Sequence, residues 1–177
     1  MELVSRVINQ DKKIELSVYL DKNEYVVTLY DYLTKKELAL ARSVSLVEAT
    51  MIASQRTTLG RGIFDQLLEQ AKRGLAEMVI EGKSPPNGIY ELAEELERIN
   101  VNGKVIRVFK LHSKYFAIED ICDLGGCYEV VVIVADGPLR LVERLRDILH
   151  REGIEENSLE NLYRALRHKM YSVIRHG

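Results

Sequence analysis

The feature that most limits what this chain can fold into is an alternating apolar pattern that occurs twice. Residues 13–31 read KIELSVYLDKNEYVVTLYD, and residues 104–120 read KVIRVFKLHSKYFAIED. Each is an alternating run, a polar turn and a second alternating run that closes on an aspartate, Asp31 or Asp120. Alternation with period two puts apolar side chains on one strand face, so each segment predicts a half-buried β-hairpin. In the first hairpin Ile14, Leu16, Val18, Val27 and Leu29 form the expected core face, which leaves Tyr19, Val26, Thr28, Tyr30 and Tyr32 facing away. The second hairpin is expected to turn through His112-Ser113, shorter than the Asp21-Lys22-Asn23-Glu24 turn of the first.

Further strands and helices follow each hairpin. Residues 2–8 suggest a first strand of imperfect alternation, and residues 37–42 another strand. Ser45-Leu46-Val47-Glu48 has the form of a capping box and starts a helix to about Arg56. Apolar residues from Phe64 to Val79 at helical spacing predict a second helix over 63–80, after a break permitted by Gly60 and Gly62. Residues 82–88 read as a linker, and 89–99 as a short acidic helix. In the second half, the apolar run of residues 128–135 predicts a central strand covered on both faces. Asp136 is the expected cap of the next helix, whose core face is Leu139, Val142, Leu145, Ile148 and Leu149. A last helix is expected from about residue 158 to 174.

The expected fold class is therefore α+β: one or two antiparallel sheets packed against helices. They come from two pseudo-repeats of strand, strand, strand, helix and a further helix. One domain of 177 residues would hold pseudo-repeat 1 at about 1–82 and pseudo-repeat 2 at about 101–177.

A net charge of −2 argues against coating nucleic acid by bulk charge, but allows a local basic patch. The leaning toward Ile, Val, Glu and Arg, with two Cys and no Trp, is that of thermophile proteins and suggests an archaeal source. No signal-peptide pattern opens the chain and no apolar run is long enough to cross a bilayer, so a cytoplasmic protein without membrane partners is expected. Cys122 and Cys127 flank a turn where a disulfide is conceivable, with two half-buried thiols as the expected state.

Two groups of residues suggest binding. Tyr19, Tyr30 and Tyr32 on one sheet face suit base stacking, though tyrosines also favour strands and dimer contacts. Arg164, Arg167, His168, Tyr171 and Arg175 form one stripe of the last helix, suited to phosphates, although cations at a helix end also complement its dipole. The segment 57–62 could receive an anion at the next helix start, but reads more simply as a bend. No enzyme motif occurs, so no catalytic residue, metal or cofactor is expected.

Duplicated strands followed by helix, a tyrosine-bearing face and basic helices resemble the single-stranded nucleic-acid-binding folds of the Whirly and PUR-repeat type. That resemblance implies non-catalytic binding of single-stranded DNA or RNA and assembly into a homo-oligomer. Residues 104–150, ending in Ala135-Asp136-Gly137-Pro138-Leu139 and a helix, are also similar to roadblock/longin domains. This alternative implies a protein–protein scaffold, with the tyrosines in a dimer interface.

Overall fold

A computed structural model describes residues 1–80, 89–154, 160, 163, 164, 167 and 168. They fall into two compact units, one of residues 1–77 and 89–92, the other of 78–80 and the described residues from 93 onward.

The first unit opens with four strands, β1 (Glu2–Asn9), β2 (Ile14–Asp21), β3 (Glu24–Asp31) and β4 (Lys36–Ser43), forming an antiparallel sheet in chain order. Directly paired residues share a face, so the register Val7–Leu16, Val18–Val27 and Val27–Ala41 lines up one apolar surface. All of these residues are buried. Two helices follow, α1 (Leu46–Gln55) and α2 (Arg61–Ile80). The first packs against β3 and β4. Its entry is capped as expected: Ser45 Oγ accepts from the Glu48 amide at 3.1 Å. The Glu48 carboxylate, however, accepts from Ser43 Oγ (3.1 Å), and Ser43 Oγ in turn accepts from the Ser45 amide at 3.1 Å. Helix α2 lies on β1, where buried Ser5 donates to the Leu67 carbonyl at 3.1 Å.

After α3 (Ile89–Leu92), which is grouped with the first unit, the chain enters β5 (Glu94–Val101) of the second. The acidic helix expected over 89–99 is thus a single turn followed by a strand. A β-bulge explains the error. Glu95 pairs with Phe109 and Glu97 with Val108, leaving Leu96 as an extra residue. The extra residue turns strand spacing into the i, i+3 spacing of Leu96 and Ile99, both core residues, which imitates a helix. The same irregularity in β1, between Leu3 and Ser5, accounts for the imperfect alternation there, since buried Val4 and Val7 are also three apart.

Strands β6 (Lys104–Leu111), β7 (Lys114–Asp123) and β8 (Gly126–Ala135) complete a second antiparallel sheet in chain order. Each described unit therefore carries four strands, not the three of the expected pseudo-repeat. In the first the strand expected over residues 2–8 joins the sheet, and in the second β5 is added. Strand β8 lies at the sheet edge, not in its centre, and residues 126–129 are exposed. Its apolar run comes from the inner half, where Ile133 and Ala135 pack against the following helix α4 (Pro138–Arg151). Gly137 caps that helix without a side chain, while the expected cap, Asp136, pairs instead with Lys114. Leu141, Val142, Leu145 and Leu149 form the buried face, and Leu139 is exposed. The two central hairpins turn alike, through Lys22-Asn23 and His112-Ser113. The length difference falls one turn earlier, between Asn9 and Ile14 against Val101 and Lys104.

Cys122 and Cys127 oppose each other across β7 and β8, are exposed, and form a disulfide with Cα atoms 4.1 Å apart. The expectation of half-buried thiols is corrected: β7 and β8 run past the core, and register sets the two cysteines directly opposite each other near the exposed tip, where they are bonded. Among the described residues no helix is long and apolar enough to cross a membrane.

Candidate functional site

The tyrosine face is built by register. Glu15 pairs with Tyr30, Ser17 with Thr28 and Tyr19 with Val26, while Arg6 of β1 pairs with Ser17. Arg6, Glu15, Tyr19 and Tyr30 therefore share the face opposite Leu16 and Val18. Tyr32 follows β3, held by its amide donating to the Lys13 carbonyl at 3.0 Å.

At the centre stands an ion pair between Arg6 and Glu15. Tyr32 Oη donates to Glu15 Oε2 at 3.1 Å. Its pKa is raised above the ordinary tyrosine value by desolvation, then by that carboxylate acceptor. The Tyr19 hydroxyl bonds Arg6, which is the first cause of a raised guanidinium pKa. Tyr30 meets Tyr32 edge to face, with centroids 5.0 Å apart at an interplanar angle of 81°. Arg6 and Glu15, which sequence reasoning did not single out, thus organise the three tyrosines that it did. Their only signal was position: Glu15 lies on the same strand face as Tyr19, and Arg6 on the neighbouring strand.

The face is less open than alternation predicts. Tyr32 is 44% exposed, Tyr19 and Tyr30 are half-buried, and Ser17, Val26 and Thr28 between them are buried. Tyr32 is the one predicted stacking residue of the three that is exposed.

Arg164, Arg167 and His168 are helical and exposed. Arg164 pairs with Glu160 one turn back at 3.1 Å, a surface pair worth at most about 1 kcal/mol, so its charge is only partly committed. Tyr171 and Arg175 lie outside the described residues.

Residues 57–62 contain the expected break, with Gly60 at φ 88°. Thr57, Thr58, Gly60 and Arg61, together with Val47, Met51, Phe64 and Leu68, line a groove of about 630 Å³ between α1 and α2. Among the described residues no three His, Cys, Asp or Glu side chains gather where they could hold a metal.

Comparison of the chain with protein-family models, with curated proteins and with solved structures found no match.

Proposed function

We propose that this protein binds single-stranded DNA or RNA without catalysis, and that its two units are diverged copies of one strand-strand-strand-strand-helix element. The observation that carries the binding reading is the grouping of Tyr19, Tyr30 and Tyr32 around the Arg6–Glu15 pair, with Tyr32 exposed. An aromatic ring beside a guanidinium offers a base both a stacking partner and a polar one, and a stacked base is worth about 1–3 kcal/mol. Exposed Arg164 and Arg167 supply further cationic groups on this reading, and exposed His168 a further polar side chain.

The duplication reading rests on matching irregularities. First and second strands shift register between Leu3 and Ser5 in one unit, and between Glu95 and Glu97 in the other. Third and fourth strands shift at Val27/Thr28 and at Ala117/Ile118. Tyr25 and Tyr115 occupy the same place: each is the second residue of the third strand, buried, and pushed upward in pKa first by desolvation and then by a glutamate. Bulges re-aim strands at particular places and are seldom repeated by chance, so shared positions favour common origin. Four strands ahead of each helix is also the count usual in the Whirly and PUR-repeat folds.

The test is fluorescence anisotropy with labelled oligothymidylate and with a duplex of equal length, at low salt. Tight binding of the single strand, weakened about 5- to 100-fold by Tyr32→Ala and preserved by Tyr32→Phe, is expected. Absence of binding at low salt ends the proposal.

A further inference from the structure

We propose that the phosphodiester backbone of the bound strand is held at one end of the first sheet, by Lys12, Lys13, Lys35 and Lys36 beside Tyr32. This rests on the single-strand reading above and adds to it the place where phosphates are met.

The β1–β2 and β3–β4 turns lie at the same end of the sheet, because Ile14 opens β2 opposite Asp31, which closes β3. One backbone bond ties them, from the Tyr32 amide to the Lys13 carbonyl. Within the turns, Asn9 Oδ1 accepts from the Lys12 amide at 3.1 Å, and the Asp31 carbonyl from the Lys35 amide at 2.8 Å. Two adjacent lysine pairs are thereby fixed on neighbouring turns. All four lysines are exposed, and among the described residues none of them forms an ion pair.

The carboxylates close by are Asp11, Glu15, Asp31 and Glu37. Glu15 is engaged by Arg6 and Tyr32, and Asp31 Oδ1 accepts from the Leu33 amide at 2.9 Å. Asp11 and Glu37 are exposed on the flanks.

Lys13 and Lys35 adopt left-handed φ values of 52° and 58°. A side chain there costs roughly 1 kcal/mol unless it is Gly, Asn or Asp. At the corresponding turns of the second unit, positive φ falls on Asn102, Gly103 and Gly126 instead. Turn geometry disfavours lysine at both positions, as it does at Lys22 (φ 58°) in the β2–β3 turn at the other end of the sheet. What sets Lys12, Lys13, Lys35 and Lys36 apart is that two adjacent pairs share one end with Tyr32. The exposed Tyr32 belongs to the β3–β4 turn, is bonded through its amide to Lys13 and meets the Tyr30 ring, so a strand with a base on Tyr32 would bring its phosphates to the lysines.

The experiment measures oligothymidylate affinity across a potassium chloride series for the wild type and for Lys12→Gln/Lys13→Asn/Lys35→Asn/Lys36→Gln. Asparagine suits the left-handed positions, so the variant should melt at or above the wild-type temperature. If it does not, Lys12→Gln/Lys36→Gln alone serves. The slope of log affinity against log salt should fall by about 2–3 in the fourfold variant and by about half that in the double variant, since each phosphate no longer neutralised removes roughly 0.7 from it. Tyr32→Ala should weaken binding and leave the slope unchanged. A variant that binds with the wild-type slope overturns the lysine contact and leaves the stacking reading standing. A wild type that binds no oligonucleotide removes that reading, and the lysine contact with it. Cosedimentation of the wild type with phosphatidylserine vesicles, abolished in the fourfold variant and without oligonucleotide binding, overturns the proposal in favour of a membrane surface.

Discussion

Gly74 of α2 faces the main-chain carbonyl of Val4 in β1 with no room between them for a Cβ atom. Helix and strand touch backbone to backbone there, at the bulge that also turns Val4 into the core. Glycine inside a helix costs about 1 kcal/mol relative to alanine, so the position trades helical propensity for approach.

Gly74→Ala should therefore destabilise the protein despite its better propensity. Something must shift, and the obstacle is backbone, not the end of a flexible side chain. Overpacking of this kind costs about 1–3 kcal/mol, which exceeds the propensity gain. Urea denaturation should show a lower midpoint with an unchanged slope. A higher midpoint would mean that α2 moves away from β1 freely.

Alkaline pH should expose the burial of Tyr25. Its side chain is fully buried, and desolvation, followed by the Glu91 charge, pushes its pKa up to about 12. The folded state thus holds the phenolic proton more tightly than the unfolded chain, where tyrosine ionises near pH 10. The resulting stability is complete below about pH 10 and is lost as pH rises toward 12. Stability measured across that window should fall on the order of 2 kcal/mol further in the wild type than in Tyr25→Phe. Parallel curves would show that Tyr25 ionises normally in the folded state.

Reduction of the Cys122–Cys127 disulfide should loosen only the end of the β7–β8 hairpin. The bridge closes a short loop, sequence separation 5, that carries the fully exposed Leu124. Chain entropy assigns a loop so short about 2 kcal/mol at most. Amide exchange should quicken over residues 122–127 on reduction and stay slow at Phe116 and Ala117, which are buried in the sheet. Faster exchange at Ala117 as well would show the hairpin to unfold as one piece.

Period-two alternation made β2, β3, β6 and β7 legible, because their apolar residues line a packed face without interruption. It weakened at β1, where imperfect alternation still marks a strand over residues 2–8, and failed at β5, where one extra residue disguises a strand; bulges carry no local sequence mark. Ser45 was readable as a cap because it satisfies an adjacent amide. Asp136 was not, because its carboxylate has a better partner in Lys114, distant in sequence. The tyrosine face was visible as a pattern, whereas the burial of Val26 and Thr28 within it was not. Nor could composition show Arg6 and Glu15 meeting, since β1 had no certain register before the bulge was known.

Arg107 offers the sharpest electrostatic test. Asp120 and Glu129 stand directly opposite each other on β7 and β8, an arrangement in which like charges repel. Arg107 bridges them, donating through Nε and Nη2 to Asp120 at 3.0 and 2.9 Å, and through Nη2 to Glu129 at 2.7 Å. Its guanidinium also lies 5.6 Å from the centre of the Phe109 ring. Arg107→Met would leave two opposed carboxylates without that bridge. Both carboxylates keep some access to water, so the loss should be about 2 kcal/mol, below the roughly 3–5 typical of a broken buried pair. Arg107→Lys should recover only part, since an ammonium lacks the planar fork that spans both partners. Adding Asp120→Asn to Arg107→Met should restore much of the stability by removing one of the repelling charges. High salt should shrink the Arg107→Met deficit by screening what remains. Urea midpoints of these variants at low and high salt decide the matter: a deficit insensitive to both salt and Asp120→Asn would assign Arg107 to packing on Phe109.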